Sequence, residues 1–133
     1  MTDSHRAPDA ARLKAMAEDI LAELPGWVVA RLGGMAVLVD DFPDQETEAE
    51  MELETPFDLL GLYRGVPIGE KDSHHQPLQP DAIHLYRRPI LDYWCETGED
   101  LEHIVRHVLI HEIGHHMGLS DDDMDAIEGA DES

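Results

Sequence analysis

The apolar residues of this chain form helical stripes near both ends, with short runs of strand length between them. Leu13, Met16, Ala17, Ile20, Leu21 and Leu24 recur at the spacing of one helix face, behind a Pro8 that suits a first helical turn. Pro25-Gly26 stops that amphipathic helix. Trp27–Leu32 reads as a short strand or a tight connection before Gly33-Gly34. Met35–Val39, bounded by Gly-Gly and Asp40-Asp41, is too short for a helix and predicts a buried strand. Leu59–Tyr63 predicts a second strand, followed by a turn at Gly65-Val66-Pro67. The alternation of Ile83-His84-Leu85-Tyr86 predicts a third, ended by Arg87-Arg88-Pro89, and Ile90–Cys95 one or two helical turns.

The last long element is the most apolar. Thr97-Gly98-Glu99-Asp100 has the spacing of a capping box, and Glu99, Asp100 and Glu102 place acids where a helix dipole favours them. Beyond it come Leu101, Ile104, Val105, Val108, Leu109, Ile110, Ile113 and Met117. At about 100° per residue these cover most of a helix circumference, leaving His103, His107 and Gly114 in one narrow sector. A helix so apolar belongs at the centre of a fold.

Composition narrows the class. The 133 residues allow one hydrophobic core, so 1–133 is expected to be a single domain, with 1–7 frayed and 129–133 an acidic tail. Nine Lys and Arg stand against thirty Asp and Glu, a formal charge of −21. Such a field repels phosphate backbones and anionic bilayers, so neither nucleic acid nor membrane is an expected partner. No apolar run approaches the ~18 residues of a membrane span. The first twenty residues lack a basic-then-apolar signal pattern, and one cysteine, Cys95, cannot form an internal disulfide. A reducing cytoplasm is the expected compartment. Residues 40–58 hold nine acids and no base but lack the glycine-punctuated spacing of a calcium loop, so they read as a solvated face. His74-His75, in a polar, proline-flanked stretch, reads as solvated loop.

Five of the nine histidines fall between His103 and His116. Among them stands His111-Glu112-Ile113-Gly114-His115, the HExxH pattern. Residues four apart on a helix lie one turn above each other, so both imidazoles can reach one ion at about 2.0–2.1 Å. Glu112 flanks that ion without binding it, within reach of a water the metal activates. All three continue the stripe of Leu101, Ile104 and Val108, and buried imidazoles and a carboxylate need partners there. HExxH alone would arise in roughly one of sixteen shuffled versions of this chain. Its extension to HExxHxxGxxD, through Gly118 and Asp121, lowers that to well under about one in a thousand. Gly118 suits a left-handed residue that ends the helix and turns the chain back, bringing Asp121 round as third ligand. Asp122, Asp123 and Glu128 compete for that role, and Asp121 or Ser120 could instead cap a last short helix. His116 is a non-ligand in this pattern, and His103 and His107, drifting round the helix, read as an exposed strip.

With these residues the chain resembles the small bacterial zincin-like metallopeptidases that carry HExxHxxGxxD. The likeness extends to Asp58-Leu-Leu-Gly-Leu-Tyr-Arg-Gly65-Val-Pro and Ile83-His-Leu-Tyr-Arg-Arg-Pro-Ile90, covering roughly residues 25–128. Metzincins share the frame, but Asp121 replaces their third histidine and no Met-turn follows. The resemblance implies an α+β fold, a minimal zincin-like domain. In it a small mixed sheet packs against the buried HExxH-bearing helix and an N-terminal amphipathic helix.

The function expected is zinc-dependent hydrolysis of a peptide or protein substrate. One Zn²⁺ is held by His111, His115 and Asp121, and Glu112 acts as general base on a metal-activated water. Tyr63, Tyr86, Arg87 and His75 are the candidates for contacts to substrate or transition state. A peptide is expected to add as a strand to an exposed sheet edge, with Leu59–Tyr63 the candidate. The alternative is a non-catalytic, zinc-stabilised acidic module for protein interaction, in which Asp125 or Glu128 closes the metal site. A metal-dependent hydrolase acting on RNA is weaker, because the charge offers no basic groove.

Overall fold

The computed structural model describes residues 7–33, 35–65 and 81–132. His75, with His74, lies outside them. Asp9 caps the first helix, α1 (Ala10–Glu23), by accepting a hydrogen bond from Arg12 N at 2.8 Å. The stripe read from the sequence is its buried face: Leu13, Ala17, Ile20 and Leu21. Pro25 ends α1 but does not begin a strand. It is the N-cap of a second helix, α2 (Gly26–Leu32), where a strand or connection was expected. Proline at that position has no N–H to leave unsatisfied, and Val28 is the one residue of α2 that is buried.

Three strands follow: β1 (Ala36–Asp40), β2 (Gly61–Arg64) and β3 (Ala82–Tyr86). The sheet order is β1-β3-β2, with β1 parallel and β2 antiparallel to β3. Between β1 and β2 lies the acidic stretch. It forms α3 (Gln45–Glu50), capped by Asp44, and a single 3₁₀ turn at Pro56–Asp58 with a Thr55/Asp58 capping box.

β3 ends before Arg87-Arg88-Pro89, as expected. The chain passes directly into α4 (Arg87–Thr97), whose first turn accommodates Pro89. The expected capping box at Thr97 is absent, because Thr97 is the last residue of α4 and Gly98 closes that helix in the left-handed conformation (φ 71°). α5 (Leu101–Met117) then starts from Asp100 without a side-chain cap. Gly118, at φ 68°, ends α5, and α6 (Asp121–Glu132) runs through the residues read as an acidic tail.

One core joins these elements. Ile83 and Leu85 of β3 pack with α1 and with Leu101, Ile104, Val105, Val108, Leu109, Ile110 and Ile113 of α5, which is the central helix expected. Gly61 is paired with Leu85 and shares this face of the sheet. The opposite face carries His84, Tyr86 and Arg64 beneath α3. Arg64 Nη2 donates to the buried Thr47 Oγ1 at 2.6 Å and pairs with Glu50 at 3.5 Å. Burial there, then the Arg64 charge, holds His84 below its ordinary pKa. Among the described residues no helix is long and apolar enough to cross a membrane.

Candidate metal centre

The HExxH segment occupies the last turns of α5, against the edge strand β2. Tyr86 N donates to Leu60 O at 2.9 Å. In an antiparallel ladder, hydrogen-bonded and non-bonded pairs alternate. The Leu60/Tyr86 pair therefore puts Leu62 and Arg64 in bonded pairs and turns the N–H and C=O of Gly61 and Tyr63 away from β3, to the outer side of β2. That edge meets the motif: Tyr63 N donates to Glu112 Oε1 at 2.8 Å. Glu112 is thus aimed by the backbone of the sheet, with its side chain only 12% exposed. Its Oε1 also lies 3.3 Å from His115 Nδ1.

Beside Glu112 opens a cavity of about 500 Å³. Leu59, Leu60 and Gly61 form one wall, and His103, His107, Val108, His111 and Glu112 of α5 the other. Tyr93 and Glu99 close one end. They hydrogen-bond each other, and the Glu99 carboxylate raises the Tyr93 phenol above its ordinary pKa. Sequence reading missed both, since nothing local distinguishes a tyrosine on α4 or an acid in the α4–α5 connection.

The three motif residues do not share one inward stripe. His111 and Glu112 are half-buried, whereas the His115 side chain is 62% exposed. The buried surface of the last turns is made by Ile113, Gly114 and His116 instead. His116, 3% exposed, sits 3.0 Å from the Tyr63 hydroxyl and 3.6 Å from Asp81 Oδ2 through its Nδ1. Tyr63, expected to face substrate, thus holds α5 at two points: its N–H on Glu112 and its hydroxyl on His116.

Two other candidates stand elsewhere. Tyr86 is buried on the opposite face of the sheet, where it lines a recess with Asp40, His84 and Arg64. Arg87 donates to Pro8 O at 2.6 Å and pairs with Asp41 at 3.3 Å, tying the N-terminus to the end of β1.

Gly118 has the expected left-handed turn, and Leu119 N returns to Gly114 O at 2.9 Å. Ser120 then caps α6, accepting from Asp123 N at 3.1 Å while the Asp123 carboxylate receives Ser120 N at 3.4 Å. Asp121 is the exposed first residue of α6. His111, His115 and Asp121 do not form a set with one donor atom each within 4.8 Å of one another. Among the described residues, the set that does is His107, His111 and Glu128. His107, read as part of an exposed strip, has its ring centroid 4.2 Å from that of His111 and its Nδ1 2.7 Å from Glu128 Oε1.

This donor chemistry suits zinc. Imidazoles one turn apart on α5 and carboxylates along α6 are the nitrogen and oxygen ligands that Zn²⁺ takes, and His111 is common to both groupings. No curated protein matches the chain. A family model described as zincin-like metallopeptidase matches residues 32–130, which span β1 to α6 and include the whole HExxHxxGxxD segment. The chain therefore belongs to the zincin-like metallopeptidase family.

Proposed function

We propose that this protein is a zinc-dependent peptidase whose catalytic group is Glu112. The observation that carries this reading is the position of its carboxylate: gripped by an outward-facing N–H of the edge strand, beside His115, at the wall of a cavity. His111 and His115 would hold the zinc, with Asp121 as third ligand. Zinc bound there supplies Lewis acidity, polarising a carbonyl and making water acidic near neutral pH.

The chain's own groups would do the rest. A peptide added as a strand along the outer edge of β2 would meet the C=O and N–H of Gly61. That places its backbone beside Glu112. The Glu112 carboxylate would take the proton of the attacking water and pass it to the leaving amine. The N–H of Tyr63 orients that carboxylate, and His115 stands beside it. With an aspartate ligand, the site is one unit less positive than with three histidines, which makes this base more necessary.

Zinc serving only as a staple for an acidic interaction module is the competing reading, and it needs four protein donors. Glu128 beside His111 is the observation in its favour. The two separate on one experiment: hydrolysis of a mixed peptide library by zinc-loaded wild type and Glu112→Gln. We expect cleavage by wild type to fall about 10²–10⁴-fold in the variant, with zinc content unchanged. Bound zinc with no cleavage by either protein favours the staple.

A further inference from the structure

One turn towards the N-terminus from the HExxH pair, α5 repeats the same spacing. His107 and His111 are four apart, as His111 and His115 are. Their ring centroids are 4.2 Å apart, and α6 delivers a carboxylate to them: Glu128 Oε1 lies 2.7 Å from His107 Nδ1. That oxygen is buried and receives no aligned hydrogen bond, although the Glu128 side chain is 20% exposed. Arg106 of α5 also reaches this end of α6. Its Nη2 donates to the backbone carbonyls of Ile127 and Glu128, at 3.1 and 2.9 Å. Those bonds fasten the end of α6 to α5 and fix where the carboxylate stands.

We propose that His107, His111 and Glu128 form a second site for a divalent transition-metal ion, occupied in alternation with the HExxH site. One donor atom from each lies within 4.8 Å of the other two, and tetrahedral ligands at zinc-like bond lengths stand about 3.4 Å apart, so small side-chain rotations close the set. Two neutral imidazoles and one carboxylate cancel one of the ion's two charges and leave a position for solvent. Alternation follows from His111. A neutral imidazole keeps a proton on one ring nitrogen and offers one lone pair, so it serves one ion at a time. An ion held by His107 and Glu128 takes His111 away from His115 and leaves Glu112 without a metal partner. This alternation rests on His111 belonging to the catalytic set.

Co²⁺ titration of the full, chelator-stripped protein tests it, followed by the visible absorption of the bound ion and by stoichiometry. Wild type is expected to bind one equivalent. His115→Ala, a change at an exposed side chain, is expected to keep one Co²⁺. Adding Glu128→Gln or His107→Ala to His115→Ala is expected to weaken that binding about tenfold or more. Circular dichroism of each variant establishes that the fold is retained. Co²⁺ held by His115→Ala with no sensitivity to either second change would overturn the proposal, as would no binding by His115→Ala. Two equivalents bound at once by wild type would overturn the alternation. If Glu128→Gln binds normally while His115→Ala binds nothing, the second site fails and the HExxH reading stands; if no protein binds Co²⁺, both fail.

Discussion

At Gly61 the sheet lies close against Val108 of α5. A Cβ there would lie 2.5 Å from Val108 Cγ1 and 3.1 Å from the His84 carbonyl oxygen, neither of which can withdraw without moving an element. Glycine here lets the helix approach until Glu112 reaches the N–H of Tyr63. Gly61→Val should therefore destabilise the fold by about 1–3 kcal/mol, read from the urea midpoint. A change smaller than the error of that midpoint would show that the contact is loose. The glycine was visible in the sequence only as an interruption of a strand run. Its purpose needs the partner helix, which lies more than forty positions away along the chain. Glu112 presents the same division: its spacing from His111 and His115 is local, but the donor that aims it comes from β2.

Between elements, the decisive joint is Gly118. Its left-handed backbone closes α5 and lets Ser120 start α6 two residues later, so the two helices are joined with almost no slack. Gly118→Val should cost about 1–2 kcal/mol, and Gly118→Asn distinctly less, because asparagine tolerates that region. Thermal unfolding of the two variants checks the ranking, and equal losses would mean that space rather than backbone conformation sets the cost. This turn was legible, since a glycine after the last apolar position of a helix has few other uses. Other elements were not. Trp27–Leu32 has too few residues for a helical period to declare itself, and it is helical because Val28 can be buried beside α1. Thr97 carries the spacing of a cap but was already spent as the end of α4. The position of Glu128 beside His107 depends on the bonds from Arg106 to the backbone of α6, which no pattern in either helix announces.

For the whole molecule, net negative charge is the repulsion that packing does not remove. At −21, with the acids of 40–58 and of the first turn of α6 each clustered, the folded chain repels itself more than the expanded one. Raising salt from about 0.01 M to about 1 M shortens the screening length from about 30 Å to about 3 Å. The melting temperature of the metal-free protein should therefore rise with sodium chloride, and a flat or falling curve would contradict this. What the sequence alone determined is what depends on neighbours in the chain: the stripe of α1, the all-round apolarity of α5, the three strand runs, the HExxH spacing and the turn at Gly118. Each is settled by helical or strand periodicity and by backbone freedom over a few residues. The tertiary structure alone decided which groups meet: Tyr63 with Glu112, Tyr86 on the far face of the sheet, and His107 with His111 and Glu128. The physical reason is that a donor or ligand acts over about 3 Å, a distance that chain spacing controls within one helix and that only packing controls between two.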